Sequence, residues 1–205
     1  MVYIFNLFMA FLLLILMQLL DFEASECIIL SSMVYFFLIS SFSWLNVICF
    51  NIWKNTTTYN NNKLLGYLYG IIIPTIMTAL LIILNEMDMQ DYPWVITPQM
   101  GCFLIDIQQF IYLYIPLLIL IFINGVFYTL TIFNINHKNI CYNHITIKII
   151  IKLTIIMGLN WIFEILSFIF PDYKIWYITD IFNCLIGLWL FIILICEKYI
   201  NKIKI

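Results

Sequence analysis

Residues 108–134 read QQFIYLYIPLLILIFINGVFYTLTIFN, without a single Asp, Glu, Lys, Arg or His. A helix rises about 1.5 Å per residue, so about 20 residues cross the ~30 Å hydrocarbon core of a bilayer. A membrane-barrel strand would alternate polar and apolar side chains over about ten positions. Here the apolar character is continuous. The stretch reads as a helix with lipid for solvent, its backbone polar groups satisfied within the segment.

The pattern repeats along the chain. Of its 205 residues, 65% are hydrophobic and 10% charged, against about 45–50% and about 25% in soluble domains. Apolar runs at 2–20, 27–53, 64–84, 108–134, 148–170 and 175–196 predict six spans, separated by short segments rich in polar and turn residues. The longest connection, residues 85–107, has little room for a soluble domain. The expected fold class is all-α: a polytopic membrane helix bundle with six transmembrane helices. A signal peptide is a rival reading of the first run. No basic residue precedes it, however, and Gln18-Leu19-Leu20 is not a small-x-small cleavage site.

Charge distribution orients the spans. Lysines near span ends stay cytoplasmic. With the N-terminus inside, Lys54, Lys63, Lys138, Lys148, Lys152, Lys198, Lys202 and Lys204 all fall on the inner side, leaving Lys174 outside. Asp21, Glu23, Glu26, Glu86, Asp88, Asp91, Asp106 and Asp172 fall outside. Dropping any one span scrambles this separation. Both chain termini are therefore expected in the cytoplasm.

Of six cysteines, Cys27 and Cys102 lie on the outer side in this topology. They either pair or remain two buried thiols. A disulfide there would be worth up to about 4–5 kcal/mol on the loop-entropy account. Glu164 is the one acidic residue deep in a span, where a carboxylate costs at least about 2.5–3.5 kcal/mol on insertion scales. Asn160 precedes it by a turn and Ser167 follows by nearly one, so the three share a helix face. Asn46, Asn124 and Asn183 also lie at depth, and Asp180 near the outer end of the sixth run. Such residues form either a ligand pocket and switching network or plain interhelical hydrogen bonds worth about 0.6 kcal/mol each. Pro74 and Pro116 fall inside spans and are expected to kink them.

Enzyme chemistry finds no footing. His137, Cys141 and His144 have helical spacing but no supporting carboxylate, so no metal site is read there. Asp106 and Asp180 lie too near the outer surface for a paired intramembrane acid. No catalytic residue, metal, cofactor or nucleic-acid partner is expected.

The stretch YFFLISSFSWLNVICFNIW, residues 35–53, resembles the third helix of Methuselah-like receptors, which are related to the secretin-type (class B) seven-helix receptors; Trp44 to Trp53 is the most specific part. IIMGLNWIFE at 155–164 resembles that family's sixth helix, and WYITD at 176–180, followed by Asn183 and Gly187, its last. Tyr112, Tyr114, Pro116 and Asn124 fit its fifth. The resemblance implies a seven-helix receptor core lacking its first helix and its ectodomain. It implies an outer disulfide Cys27–Cys102. It places Glu164 and Asn124 on polar positions of the bundle interior, and with Asn160, Asn46, Asn183, Asp180 and Trp161 they make up the expected bundle polar network or ligand pocket. It also implies an inner, G-protein-facing surface at Lys138, Lys148 and Lys152. The expected partners are the lipid bilayer, an extracellular ligand, a heterotrimeric G protein and a second receptor copy in a dimer, at the plasma membrane. Departures are Ile71-Ile72 where the family has Trp-Gly, and Ile186 where it has Gln. Two other readings stand beside it. One is a truncated, non-signalling receptor that acts by dimerisation. The other is a small transporter, which would want more than one intramembrane charge or related halves.

Overall fold

The computed structural model describes residues 2–20, 24–57, 63–86, 104, 108–138, 158 and 161–170. The chain divides into two compact units, residues 1–131 and 132–205. The first holds α1 (Val2–Leu19), α2 (Ala24–Thr57), α3 (Lys63–Glu86), a π-helical segment (Gln109–Tyr114) and most of α4 (Ile115–Lys138). In the second, residues 161–169 are helical. Among the described residues there is no strand.

Three of these helices contain stretches long and apolar enough to cross a membrane, Glu26–Asn55, Gly66–Leu84 and Gln109–Asn134, and α1 is a slightly shorter apolar helix. Large apolar side chains stand outward along all four, among them Phe5, Phe8, Ile76, Phe122 and Phe133. Water would not tolerate apolar surface on this scale. In lipid it is the expected exterior, and this is an all-α integral membrane protein.

Side-chain hydroxyls inside the spans turn back onto their own helix. Ser32 donates to the Ile28 carbonyl, Thr78 to Pro74, Thr129 to Gly125 and Thr131 to Phe127, each four residues earlier. This back-bonding satisfies a polar group without water or a neighbouring helix.

The helices overrun the predicted spans. Helix α2, predicted over 27–53, runs to Thr57, and α4 runs through Lys138, which was expected in a loop. The 34 residues of α2 extend about 51 Å, more than the hydrocarbon core, so the ends of α2 continue through the headgroup layer. Polar residues such as Asn55 and Lys54 are at home there. Pro74 lies inside the uninterrupted α3. Pro116 stands at the start of α4, immediately after the π-helical segment.

Helix α2 is the centre of the first unit. It packs against both α1 and α3. Its apolar stretch is 56% buried, against 17% for that of α3. Val34, Ile39, Ser41, Phe42 and Ser43 have no exposed surface. The predicted span at 175–196 and most of that at 148–170 lie outside the described residues.

Candidate functional site

Helix α2 presents different residues to each of its neighbours. Ser40 meets α1, where the Asn6 amide nitrogen donates to its hydroxyl at 2.8 Å. Trp44, Val47 and Asn51 face α3 at Gly66 and Gly70. Tyr35, Phe50 and Trp53 face the π-helical segment and α4.

The α3 contact depends on two glycines one turn apart. A Cβ on Gly70 would lie 2.9 Å from Trp44 Cε2, and one on Gly66 would lie 2.9 Å from Val47 Cγ1. Trp44 also meets the Tyr67 ring edge-on at 5.4 Å. Small residues let membrane helices approach closely enough for dispersion contacts, which replace the hydrophobic drive absent in lipid.

On the α4 side, the Tyr35 hydroxyl donates to the Tyr112 carbonyl at 2.8 Å. Pro116 explains why that carbonyl takes a side-chain donor. In an α-helix the carbonyl of residue 112 would accept from the N–H of residue 116, and proline has none. The π-helical segment shifts the pairing just before it, with the Ile115 N–H reaching back to Phe110. Single-turn π segments of this kind are frequent at functional sites. Tyr35→Phe keeps the ring and removes the donor. It is expected to cost about 1–2 kcal/mol, read as a lower thermal midpoint in nanodiscs. A midpoint equal to wild type would count against this account of the carbonyl.

Toward the other end of the same pair of helices, Phe127 packs on Phe50 (5.4 Å, 69°) and on Trp53 (5.7 Å, 33°). The Lys54 ammonium lies 5.9 Å from the Phe50 ring centre. This places an aromatic clasp and a cation together at one end of the pair.

Between the Tyr35–Tyr112 bond and the clasp lie three polar side chains. Ser43 has no exposed surface, and Asn46 and Asn124 are each 2% exposed. The Asn46 amide nitrogen donates to the Tyr69 hydroxyl at 3.5 Å, a long bond. Ser43 Oγ, Asn46 Oδ1 and Asn124 Oδ1 have no hydrogen-bond partner among the described residues. Native interiors leave few such atoms.

The other site residues named from sequence divide as follows. Cys27 is buried and disulfide-bonded, and its partner lies outside the described residues, as Cys102 does. Trp161 and Glu164 are half-buried in the second unit, where the Ser167 hydroxyl donates to the Glu164 carbonyl at 2.8 Å. Lys138 is the last residue of α4. Asn160, Asp180, Asn183, Lys148 and Lys152 lie outside the described residues. Sequence reasoning missed Ser43, Tyr35 and the Gly66–Gly70 contact. The Gly-x-x-x-Gly spacing at 66–70, and a proline four residues after Tyr112, were the available signals.

A lipid-embedded helix bundle with a polar interior and a disulfide at one helix end fits a membrane receptor or a transporter. Comparison with known proteins finds similarity to receptors. The chain is 28% identical over 99% of its length to the probable G-protein coupled receptor Mth-like 4 of Drosophila melanogaster, and covers 45% of that protein. It is 25% identical over 89% of its length to the G-protein coupled receptor Mth2 of Drosophila yakuba, covering 40% of it. It is 27% identical over 80% of its length to the probable G-protein coupled receptor Mth-like 11 of Drosophila melanogaster, covering 37%. No family model matches the chain. The similarity to Methuselah-like G-protein-coupled receptors thus runs through nearly the whole chain, while the chain spans less than half the length of these relatives.

Proposed function

We propose that this chain is helical receptor core of the Methuselah-like, class B-related kind, and that the protein carrying it couples an extracellular ligand to a cytoplasmic heterotrimeric G protein at the plasma membrane. The observation that carries the reading is the match to several G-protein-coupled receptors over 80–99% of the chain. The apolar, outward-facing helices of the bundle agree with it.

The mechanism is a shift between two arrangements of the helices, which a ligand biases by binding one more tightly than the other. In this reading the chain termini are cytoplasmic, Cys27 pairs with Cys102 outside, and Lys138, Lys148 and Lys152 border the G-protein surface. Asn46, Asn124, Asn160, Trp161, Glu164, Asp180 and Asn183 supply the polar interior that the two arrangements repack.

The test is nucleotide exchange. The complete gene product, reconstituted in nanodiscs with each class of Gα and with Gβγ, is expected to accelerate GTPγS uptake above a lipid-only control. Lys148→Glu combined with Lys152→Glu is expected to abolish that acceleration while leaving the thermal midpoint unchanged. If no Gα class responds, with or without candidate ligands, the coupling reading is wrong.

A further inference from the structure

We infer that α2 and α4 hold an internal water molecule between Ser43, Asn46 and Asn124, as a built hydrogen-bonding joint of the bundle. This goes beyond the receptor reading and does not depend on it, because it rests on the packing of these two helices alone.

The register of the pair is fixed at two levels. Tyr35 meets Tyr112 and Phe50 meets Phe127, and both contacts join residues 77 positions apart. Helices that keep one offset over four turns run parallel, side by side. The same offset carries Asn46 to residue 123, one position short of Asn124, so the two amides lie within about 1.5 Å of the same depth.

Their azimuths agree with this. On α2, Asn46 falls about 20° from the line of Tyr35 and Trp53 and about 40° from Phe50, the residues that touch the facing helix. On α4, Asn124 lies about 60° from Phe127 and shares its buried face with Leu117, Leu120 and Thr131. Ser43 precedes Asn46 by nearly one turn on the same side of α2.

Two orphan amide oxygens thus lie at nearly one depth, with the orphan Ser43 hydroxyl about 4.5 Å from that depth along α2. Water fits their chemistry closely. Its two O–H groups donate to Asn46 Oδ1 and Asn124 Oδ1, and its oxygen accepts from the Ser43 hydroxyl. That gives three hydrogen bonds, the usual number for a buried water. If either amide is turned over, it presents N–H in place of oxygen, and water can accept there instead. A monovalent cation fits less well. All three atoms are neutral, no carboxylate lies on the facing surfaces of α2 or α4, and an uncompensated charge inside a bundle costs far more than a polar group does.

The test is a map of the complete gene product in nanodiscs that resolves ordered water, read beside thermal midpoints. Density within hydrogen-bonding distance of Ser43 Oγ, Asn46 Oδ1 and Asn124 Oδ1 is expected. Asn46→Leu and Asn124→Leu are each expected to lower the midpoint by about 3 °C or more. The double variant should lose less than the sum, because it leaves no amide orphaned. Replacing Na⁺ by choline should change nothing. The inference is overturned if both amide oxygens are bonded directly to side chains, if the two single losses add in full, or if the midpoint follows Na⁺. GTPγS uptake is a separate readout, so failure of the receptor reading leaves these outcomes intact.

Discussion

Cys27→Ser is expected to lower the stability of the chain by up to about 4 kcal/mol and to cut its surface delivery sharply. Cys27 is buried at the start of α2 and disulfide-bonded. A disulfide acts mainly by restricting the unfolded chain, and the restriction grows with the length of loop enclosed. Pairing with Cys102 would enclose α2, α3 and the connection after α3, the most entropy available to a bond on the outer side. The natural readouts are the thermal midpoint in nanodiscs and the fraction of protein reached by an impermeant label on cells. Cys27→Ser, Cys102→Ser and the double variant should then give one and the same loss. Equal losses are the signature of a shared bond, because the second substitution has nothing left to break. If Cys102→Ser is silent while Cys27→Ser is not, the partner of Cys27 is another cysteine. Cys49, a buried thiol within α2, is the control. Cys49→Ala should cost little beyond a small cavity.

The four long described helices were legible in the sequence because lipid imposes one rule that composition alone reveals. A segment of some twenty apolar residues without charge has no other stable form in a bilayer. Their ends were less legible. Polar residues such as Asn55 and Asn136 resemble loop signals in water, but in the headgroup layer they continue a helix. Asn46 and Asn124 stood out as polar residues at depth, and both prove to be buried. Their alignment did not stand out, because it depends on which face of α2 meets which face of α4. That choice is made by Tyr35, Phe50 and Phe127, whose apolar surroundings look alike in one dimension. Ser43 was passed over for the same reason. A serine in a membrane helix commonly bonds back to its own backbone, as Ser41 does to Leu38, and nothing in the local sequence distinguishes the two. Cys27 is disulfide-bonded, and Cys102, the outer cysteine expected from the sequence to pair with it, lies outside the described residues.

Gly70→Leu is expected to be the most damaging single substitution within the described spans that leaves every polar group untouched. The position is buried, and even a methyl group there would lie 2.9 Å from Trp44 Cε2 and 3.0 Å from Cδ2. Trp44 has little freedom to retreat, since Tyr67 of α3 meets its ring edge-on at 5.4 Å. Gly70→Ala should therefore cost about 1–3 kcal/mol through overpacking. The leucine adds three more carbons in the same direction, so α3 must separate from α2, and folded yield from detergent should fall several-fold. Gly66→Leu should act alike through Val47. Gly125 provides the contrast, because nothing lies within 4 Å of a Cβ built there. Gly125→Ala should be neutral or stabilise α4 by up to about 1 kcal/mol from helix propensity alone. The contact itself is isolated by a cycle with Trp44→Ala, which opens the space that the leucine needs. Trp44→Ala should be costly alone, as emptied aromatic sites are. The double variant Trp44→Ala/Gly70→Leu should be more stable than the sum of the two losses. Strict additivity would mean that Gly70 is needed for something other than the approach of Trp44, and the close packing of α3 on α2 would have to be explained without it.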